Sequence, residues 1–358
     1  MIEVDGSMME GGGQLLRMAV TYSAIMGIPI RVFNIRPKRR PSGLKPQHLA
    51  TVKAVADICR ASTKGLSLGS GVIEFEPQPP RGGAYYFDIG TAGSISLLLQ
   101  CVAPIAAFAG SATSLRIAGG TAVEWSPPIP ILDHVVWEAA RTMGFKGKVS
   151  VVREGFYPKG GGLVNVDIAP INSLSPIALE RNYEGKLIRG LSLCGKLPEH
   201  VAERQARSAE AVLRESGYDV EIRRAVSSGQ STPISPGSFI CLWAEAKRRA
   251  FIGANALGKR GKPAEVVGAE AAESLLSQLR TGASVDLHTA DTLILWCSLA
   301  EGESSFTTSN LTLHTTTAIE LAGIIVKAVF EVEGEIGQPA LIKCRGIGLR
   351  NESHREKE

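Results

Sequence analysis

The chain has 358 residues, 44% of them hydrophobic, with a formal net charge of +4 and a pI near 8.7. That length allows two domains of ordinary size, and the mild positive charge permits a polyanionic partner without requiring one. Six cysteines, Cys59, Cys101, Cys194, Cys241, Cys297 and Cys344, lie in apolar segments without CxxC spacing, which predicts reduced core thiols rather than a zinc site or a disulfide framework.

In chain order, a short strand at 2–4 leads through a Gly-rich loop to a helix over 14–26, a strand over 28–35 and a basic loop over 36–45. A helix over 46–61 and two strands, 72–76 and 84–89, joined by a Pro-rich turn, complete the unit. The order helix, strand, helix, strand, strand recurs after Gly90-Thr-Ala-Gly-Ser94, with a strand at 114–118, a helix over 130–144 and strands at 149–153 and 163–168. A third copy opens at Arg280-Thr-Gly-Ala-Ser284 and continues with a helix ending near Leu299, a strand at 304–308, a helix from Thr315 and strands near Glu331 and at 341–344. Residues 184–280 read as a separate run: a strand at 187–194, a helix over 199–216, strands at 219–224, 239–246 and 249–254, and a helix over 264–279. The predicted fold is α/β, a pseudo-threefold repeat domain over 1–183 and 281–346 with a smaller inserted α/β domain at 184–280 and a disordered tail at 347–358.

The N-terminus lacks the basic and apolar regions of a signal peptide, and the longest apolar run, 95–110, is broken by Gln100 and Pro104. A cytoplasmic chain without a membrane partner is expected. Gly253-Ala-Asn-Ala-Leu-Gly258-Lys259-Arg260 imitates a P-loop, but Arg260 stands where Ser or Thr would hold magnesium, and Gly261 and Pro263 interrupt the helix that should follow.

The candidate nucleophile is His314. It falls at a predicted helix start, where free N–H groups and the helix dipole attract anions and favour neutral imidazole; beside a bound phosphate such a ring can attack. The loop Glu10-Gly-Gly-Gly13, followed by Arg17, offers backbone N–H groups to phosphate. Arg36, Lys38, Arg39, Arg40 and Lys45, stiffened by Pro37 and Pro41 with no acid among them, suit phosphate recognition as well. If the loops at the helix starts converge by pseudo-symmetry, these cations serve a histidine from another unit. Asp291 could bind a ribose hydroxyl or orient an imidazole, and an ordinary helix-face carboxylate would look the same.

Taken together, Glu10 to Arg17, Arg36 to His48, Arg81-Gly-Gly, Gly93-Ser, Gln100, Gly155-Phe-Tyr-Pro-Lys-Gly-Gly-Gly162, His200-Val-Ala-Glu-Arg204, Ala290-Asp291 and His314 resemble the RNA 3′-terminal phosphate cyclase family, in the same order over nearly the whole chain. The resemblance implies a fold with three repeats like the C-terminal domain of a translation initiation factor. It also implies ATP-dependent conversion of an RNA 3′-phosphate to a 2′,3′-cyclic phosphate through AMP carried on His314, releasing AMP and diphosphate. Gln100, His288, Thr289, Ala290, Asp291 and Thr292 would then contact ATP or AMP, with Asp291 on the ribose. Glu10, Arg17, Arg36, Arg39 and Gln47 would surround the phosphates or the RNA end, with Glu10 the candidate ligand of a divalent cation, magnesium or manganese. RNA 3′ ends are the expected partner, and a homodimer is a further candidate assembly. Bacterial relatives tend to carry Tyr at His288 and Gln at Thr292, so contacts there differ in detail. The family also has a ribosome-biogenesis branch that binds RNA without cyclase activity; it lacks the histidine, and His314 argues against it.

Overall fold

The structure, a computed structural model, describes residues 1–179, 185–244 and 250–352. The first sheet contains β1 (Ile2–Asp5) and, after helix α1 (Gly13–Met26), β2 (Ile30–Phe33). Helix α2 (Pro46–Cys59) leads to β3 (Ser62–Lys64) and β4 (Ile73–Glu76), giving the order β1-β2-β4-β3 with only the first pair parallel. α2 starts cleanly because Pro46 at its first turn has no N–H to leave unpaired.

The second sheet repeats that order and those directions. It contains β5 (Gly83–Asp88), helix α3 (Ile95–Ala107), β6 (Thr113–Gly119), the short helix α4 (Ile129–Ile131), helix α5 (Trp137–Thr142), β7 (Lys146–Arg153) and β8 (Gly162–Ala169), in the order β5-β6-β8-β7. The strands expected at 72–76 and 84–89, read in the sequence as closing one unit, belong to different sheets. The connector docks on the end of α2, where Gln78 N–H donates to Cys59 O and Arg81 N–H to Ile58 O, and so carries the chain across to the next sheet. The expected single helix over 130–144 is α4 and α5 joined by a π-helical turn, Leu132–Val136.

Next come β9 (Leu187–Gly195), helix α6 (His200–Glu215), β10 (Asp219–Ser227), β11 (Gly237–Ala244), β12 (Gly253–Leu257) and helix α7 (Ala264–Leu279). Their sheet, β10-β9-β11-β12, packs against α6 and α7 around a second hydrophobic cluster that includes Ile188, Leu213, Ile240 and Leu275. The P-loop look-alike begins as strand β12. The strand expected at 249–254 starts instead at Gly253; part of that call, the end of the strand expected at 239–246, and the 183/184 boundary fall on 245–249 and 180–184, outside the described residues.

Helix α8 (Leu287–Leu299), β13 (Glu303–Thr308), helix α9 (Leu313–Ile325), β14 (Val329–Glu333) and β15 (Ala340–Arg345) follow. The sheet order is β13-β15-β14, and a parallel bridge from Val285 to Thr308 adds one more rung beside β13. The main core joins these units: Phe145 packs 5.2 Å from Trp137 and 4.9 Å from Trp296 of α8, and Tyr22 of α1 shares a buried hydrogen bond of 2.9 Å with Ser298. Burying one such aromatic ring stabilises the fold by about 2–3 kcal/mol.

Buried polar groups stitch α7 to α8. Gln278 donates to Gly253 O at 3.1 Å, and its Oε1 accepts from Leu287 N–H at 3.2 Å and Ser309 Oγ at 3.0 Å. Asp286 caps α8 by accepting from His288 and Thr289 N–H, and also accepts from Gly253 N–H at 3.0 Å. All six cysteines are buried and free. Among the described residues no helix is long and apolar enough to cross a membrane. The tail expected from 347 is docked at its start: Asn351 is 5% exposed, and its side chain donates to Ala109 O at 3.0 Å and Ile171 O at 3.1 Å. The rest of the expected tail, 353–358, lies outside the described residues.

Candidate active site

Helix α9 starts on Thr312, whose Oγ1 accepts from the Thr315 N–H at 3.0 Å. The same hydroxyl donates to Asp291 Oδ1 at 2.9 Å, and Thr315 Oγ1 donates to that oxygen at 2.6 Å. Asp291 is buried on α8, and burial raises its pKa against the opposing pull of these hydroxyls. His314, the second residue of α9, keeps 45% of its side chain exposed. Its Nδ1, however, is buried, has no hydrogen bond and lies 3.8 Å from Glu10 Oε2.

Glu10 comes from the loop before α1. Its Oε1 accepts from Arg39 at 2.5 Å, which brings the basic loop to the histidine, and its N–H approaches Thr317 Oγ1 on α9 at 3.5 Å. The loop's glycines are required sterically: a Cβ on Gly13 would overlap His48 Nε2. The N-cap of α1 is Gly12, with no side-chain cap, so the first N–H groups of α1 are left for another acceptor. His48 is buried, accepts from Lys45 N–H through Nδ1, and has its pKa driven down to about 3 by burial and by Arg17, Arg36 and Lys45.

One turn further along α1, Arg17 lines a small cavity with Gln14, Gln100, Asp291 and Thr292. Burial lowers the pKa of Arg17, while Cys101 and Glu10 pull it the other way. Gln100 on α3 donates to Thr292 Oγ1 at 3.3 Å, and Gln47 on α2 accepts from the N–H of Ser94, the N-cap of α3, at 3.2 Å. Among the described residues four buried side-chain polar atoms lack a partner; three of them, Gln14 Oε1, Gln47 Nε2 and His314 Nδ1, belong to this neighbourhood. Unpaired buried polar atoms are rare in folded proteins.

Glu10, Arg39 and His314 thus meet on one side, and Arg17, Gln100, Asp291 and Thr292 share the adjoining cavity. Other residues expected here are engaged or placed as follows. Arg36 is 6% exposed and spends Nη1 on Gly43 O at 2.8 Å and Pro41 O at 3.4 Å, holding the basic loop in shape. Thr289 and Ala290 are wholly buried, with the Thr289 hydroxyl donating to Asp286, while His288 is exposed at the start of α8. Sequence reasoning missed Thr312, Thr315 and Thr317; the signal was present in Thr312-Leu-His-Thr315, where a threonine three residues before another is an N-cap pattern.

A protein sequence named RNA 3′-terminal phosphate cyclase from Methanopyrus kandleri is 43% identical over 350 residues, covering 97% of this chain and 99% of that one. One of the same name from Caldivirga maquilingensis is 45% identical over 333 residues, covering 92% and 94%. Similar solved structures include the EPSP synthase from Acinetobacter baumannii, at 12% identity and a TM-score of 0.28, where this chain is 93% covered and spans 62% of that one. Similarity that low decides nothing about fold or function. The family model described as RNA 3′-terminal phosphate cyclase matches residues 8–332, nearly the whole chain, and with the relatives above it shows that this protein belongs to the RNA 3′-terminal phosphate cyclase family.

Proposed function

We propose that this chain converts an RNA 3′-terminal phosphate to a 2′,3′-cyclic phosphate at the expense of ATP, with His314 as the nucleophile. The observation that carries the reading is the imidazole itself: a half-exposed ring at a helix start, its Nδ1 buried without a partner beside Glu10. With Nδ1 buried, the nitrogen on the outward edge is Nε2, and its lone pair attacks the α-phosphorus of ATP. The bond to the bridging oxygen breaks, and diphosphate leaves. An oxygen of the RNA 3′-phosphate next attacks the α-phosphorus and displaces the histidine, forming an anhydride; the neighbouring 2′-OH attacks the RNA phosphorus, loses its proton and expels AMP. A phosphate monoester lacks a good leaving group, and the anhydride supplies one.

Arg17, Gln100, Asp291 and Thr292 would hold the nucleotide, and Arg39 and the uncapped start of α1 the charged oxygens. Thr312 and Thr315 occupy Asp291 Oδ1, so its Oδ2 is the oxygen left for a ribose hydroxyl. Among the described residues no group of three or more His, Cys, Asp or Glu side chains could hold a metal. Glu10 is a hard oxygen donor of the kind that suits magnesium or manganese, with water and nucleotide phosphates as the other ligands, and the ion would offset charge on the departing diphosphate. The matching strand orders of the first two sheets, and the Val285 rung that extends the third, support a threefold repeat like that of the C-terminal domain of a translation initiation factor.

The test is covalent labelling. Wild type and His314→Ala are incubated with a divalent cation and ATP labelled at the α-phosphate, then denatured. Acid-labile, alkali-stable label on wild type alone supports the proposal; no label on folded, ATP-binding wild type would overturn it in favour of a non-catalytic RNA-binding role.

A further inference from the structure

Trp125 is 94% exposed, and its backbone sits at φ +66°, a conformation that disfavours a bulky side chain. Neither burial nor backbone preference accounts for a tryptophan there, since tryptophan is among the more buried residue types. Its loop, between β6 and α4, is closed by Ile129 N–H to Thr121 O at 3.1 Å and is tied to the start of α3 by Ser96 Oγ to Pro127 O at 2.6 Å. A second exposed aromatic, Tyr157, at 78%, lies on the adjoining loop, whose Gly155 O accepts from Thr121 N–H. Both loops press on the same turn: a Cβ on Gly120 would overlap Ala92 O, and one on Gly160 would lie 2.7 Å from Ala92 Cα. Gln47, two residues past the basic loop, also holds that turn, accepting from the Ser94 N–H.

We propose that Trp125, with Tyr157 on the adjoining loop, is a stacking platform for the terminal bases of single-stranded RNA. This rests on the functional reading above and adds to it where the acceptor's bases lie. Every base has a π face, so stacking on exposed aromatics holds single strands without reading sequence. Charge favours the same occupant: exposed Lys159 flanks Tyr157 and the basic loop lies beyond Gln47, whereas exposed Glu124 beside Trp125 repels phosphate and leaves that ring to meet a base.

The test uses the full chain, with a short single-stranded RNA ending in a 3′-phosphate, and compares wild type, Trp125→Ala and Trp125→Phe. Stacking predicts that Trp125→Ala raises KM for this RNA about 10-fold while Trp125→Phe stays near wild type. Self-adenylylation, which needs no RNA, should keep its rate in both. An unchanged KM in Trp125→Ala overturns the platform. So does an equal loss of self-adenylylation in a folded Trp125→Ala, which would put the ring in the nucleotide site, or a change confined to oligomeric state, which would make it a contact between copies. Wild type that takes no label sinks the functional reading instead. The platform is then read by fluorescence titration, where the same RNA must quench wild type and not Trp125→Phe; absence of that difference overturns it.

Discussion

Thr315 donates its hydroxyl to Asp291 Oδ1 at 2.6 Å, and that bond fixes the helix carrying His314 to the helix carrying Thr292. Asp291→Ala leaves two threonine hydroxyls without their acceptor in a dry setting and should cost about 2–3 kcal/mol in denaturant unfolding. It should also slow adenylylation by displacing α9. Asp291→Asn keeps an acceptor and should lose far less. Burial raises the pKa of Asp291 above its unfolded value, so its contribution to stability is present at low pH and lost as pH rises through the folded pKa. Asn should abolish that dependence, and unfolding curves across pH check it.

Glu10 touches both the basic loop and the histidine, so Glu10→Gln should lower the single-turnover adenylylation rate by roughly 10- to 100-fold, the range for losing a positioned group. Its unfolding midpoint should barely move, because Arg39 is 56% exposed and a half-exposed ion pair contributes at most about 1 kcal/mol. A large midpoint shift with an unchanged rate would assign Glu10 a purely structural role.

His48 supplies an acid-side dependence of the opposite origin. Its folded pKa, about 3, lies below the ordinary histidine value of 6.5, so the unfolded chain binds more protons between those values and stability falls as pH drops through that window. The full difference amounts to about 5 kcal/mol as an upper bound. His48→Gln should flatten the loss between pH 6.5 and 3 while lowering stability near neutrality through the altered cap of α2.

At the C-terminus, Asn351→Ala should cost about 2 kcal/mol by leaving the Ala109 and Ile171 carbonyls unpaired. Thermal melts of the variant against wild type check it.

His314, Glu10 and Arg39 stood out in the sequence because helix starts, Gly-rich loops and runs of like charge are local patterns, while the repeated element order left the meeting of distant loops a condition. What sequence could not supply was the direction of each side chain. Arg36 looks like its neighbours in composition, yet a left-handed backbone at φ +54° turns it into its own loop. Thr289 sits in the same predicted segment as Thr292, but its hydroxyl turns back to the capping Asp286, while Thr292, three residues on, lines the cavity. Asn351 misled for a related reason: a polar stretch without an apolar anchor reads as a tail, and here two carbonyls hold it by hydrogen bonds.

The amide of Gln278 limits how far this chain can be trimmed. A shortened protein made by excising the sheet β10-β9-β11-β12 with α6 and α7 would strip the Leu287 N–H and Ser309 Oγ of their shared acceptor and Asp286 of the Gly253 N–H. Those losses fall at the root of the helix that bears Asp291, so the shortened chain would need a grafted carboxamide at that spot before its chemistry could be compared with the parent.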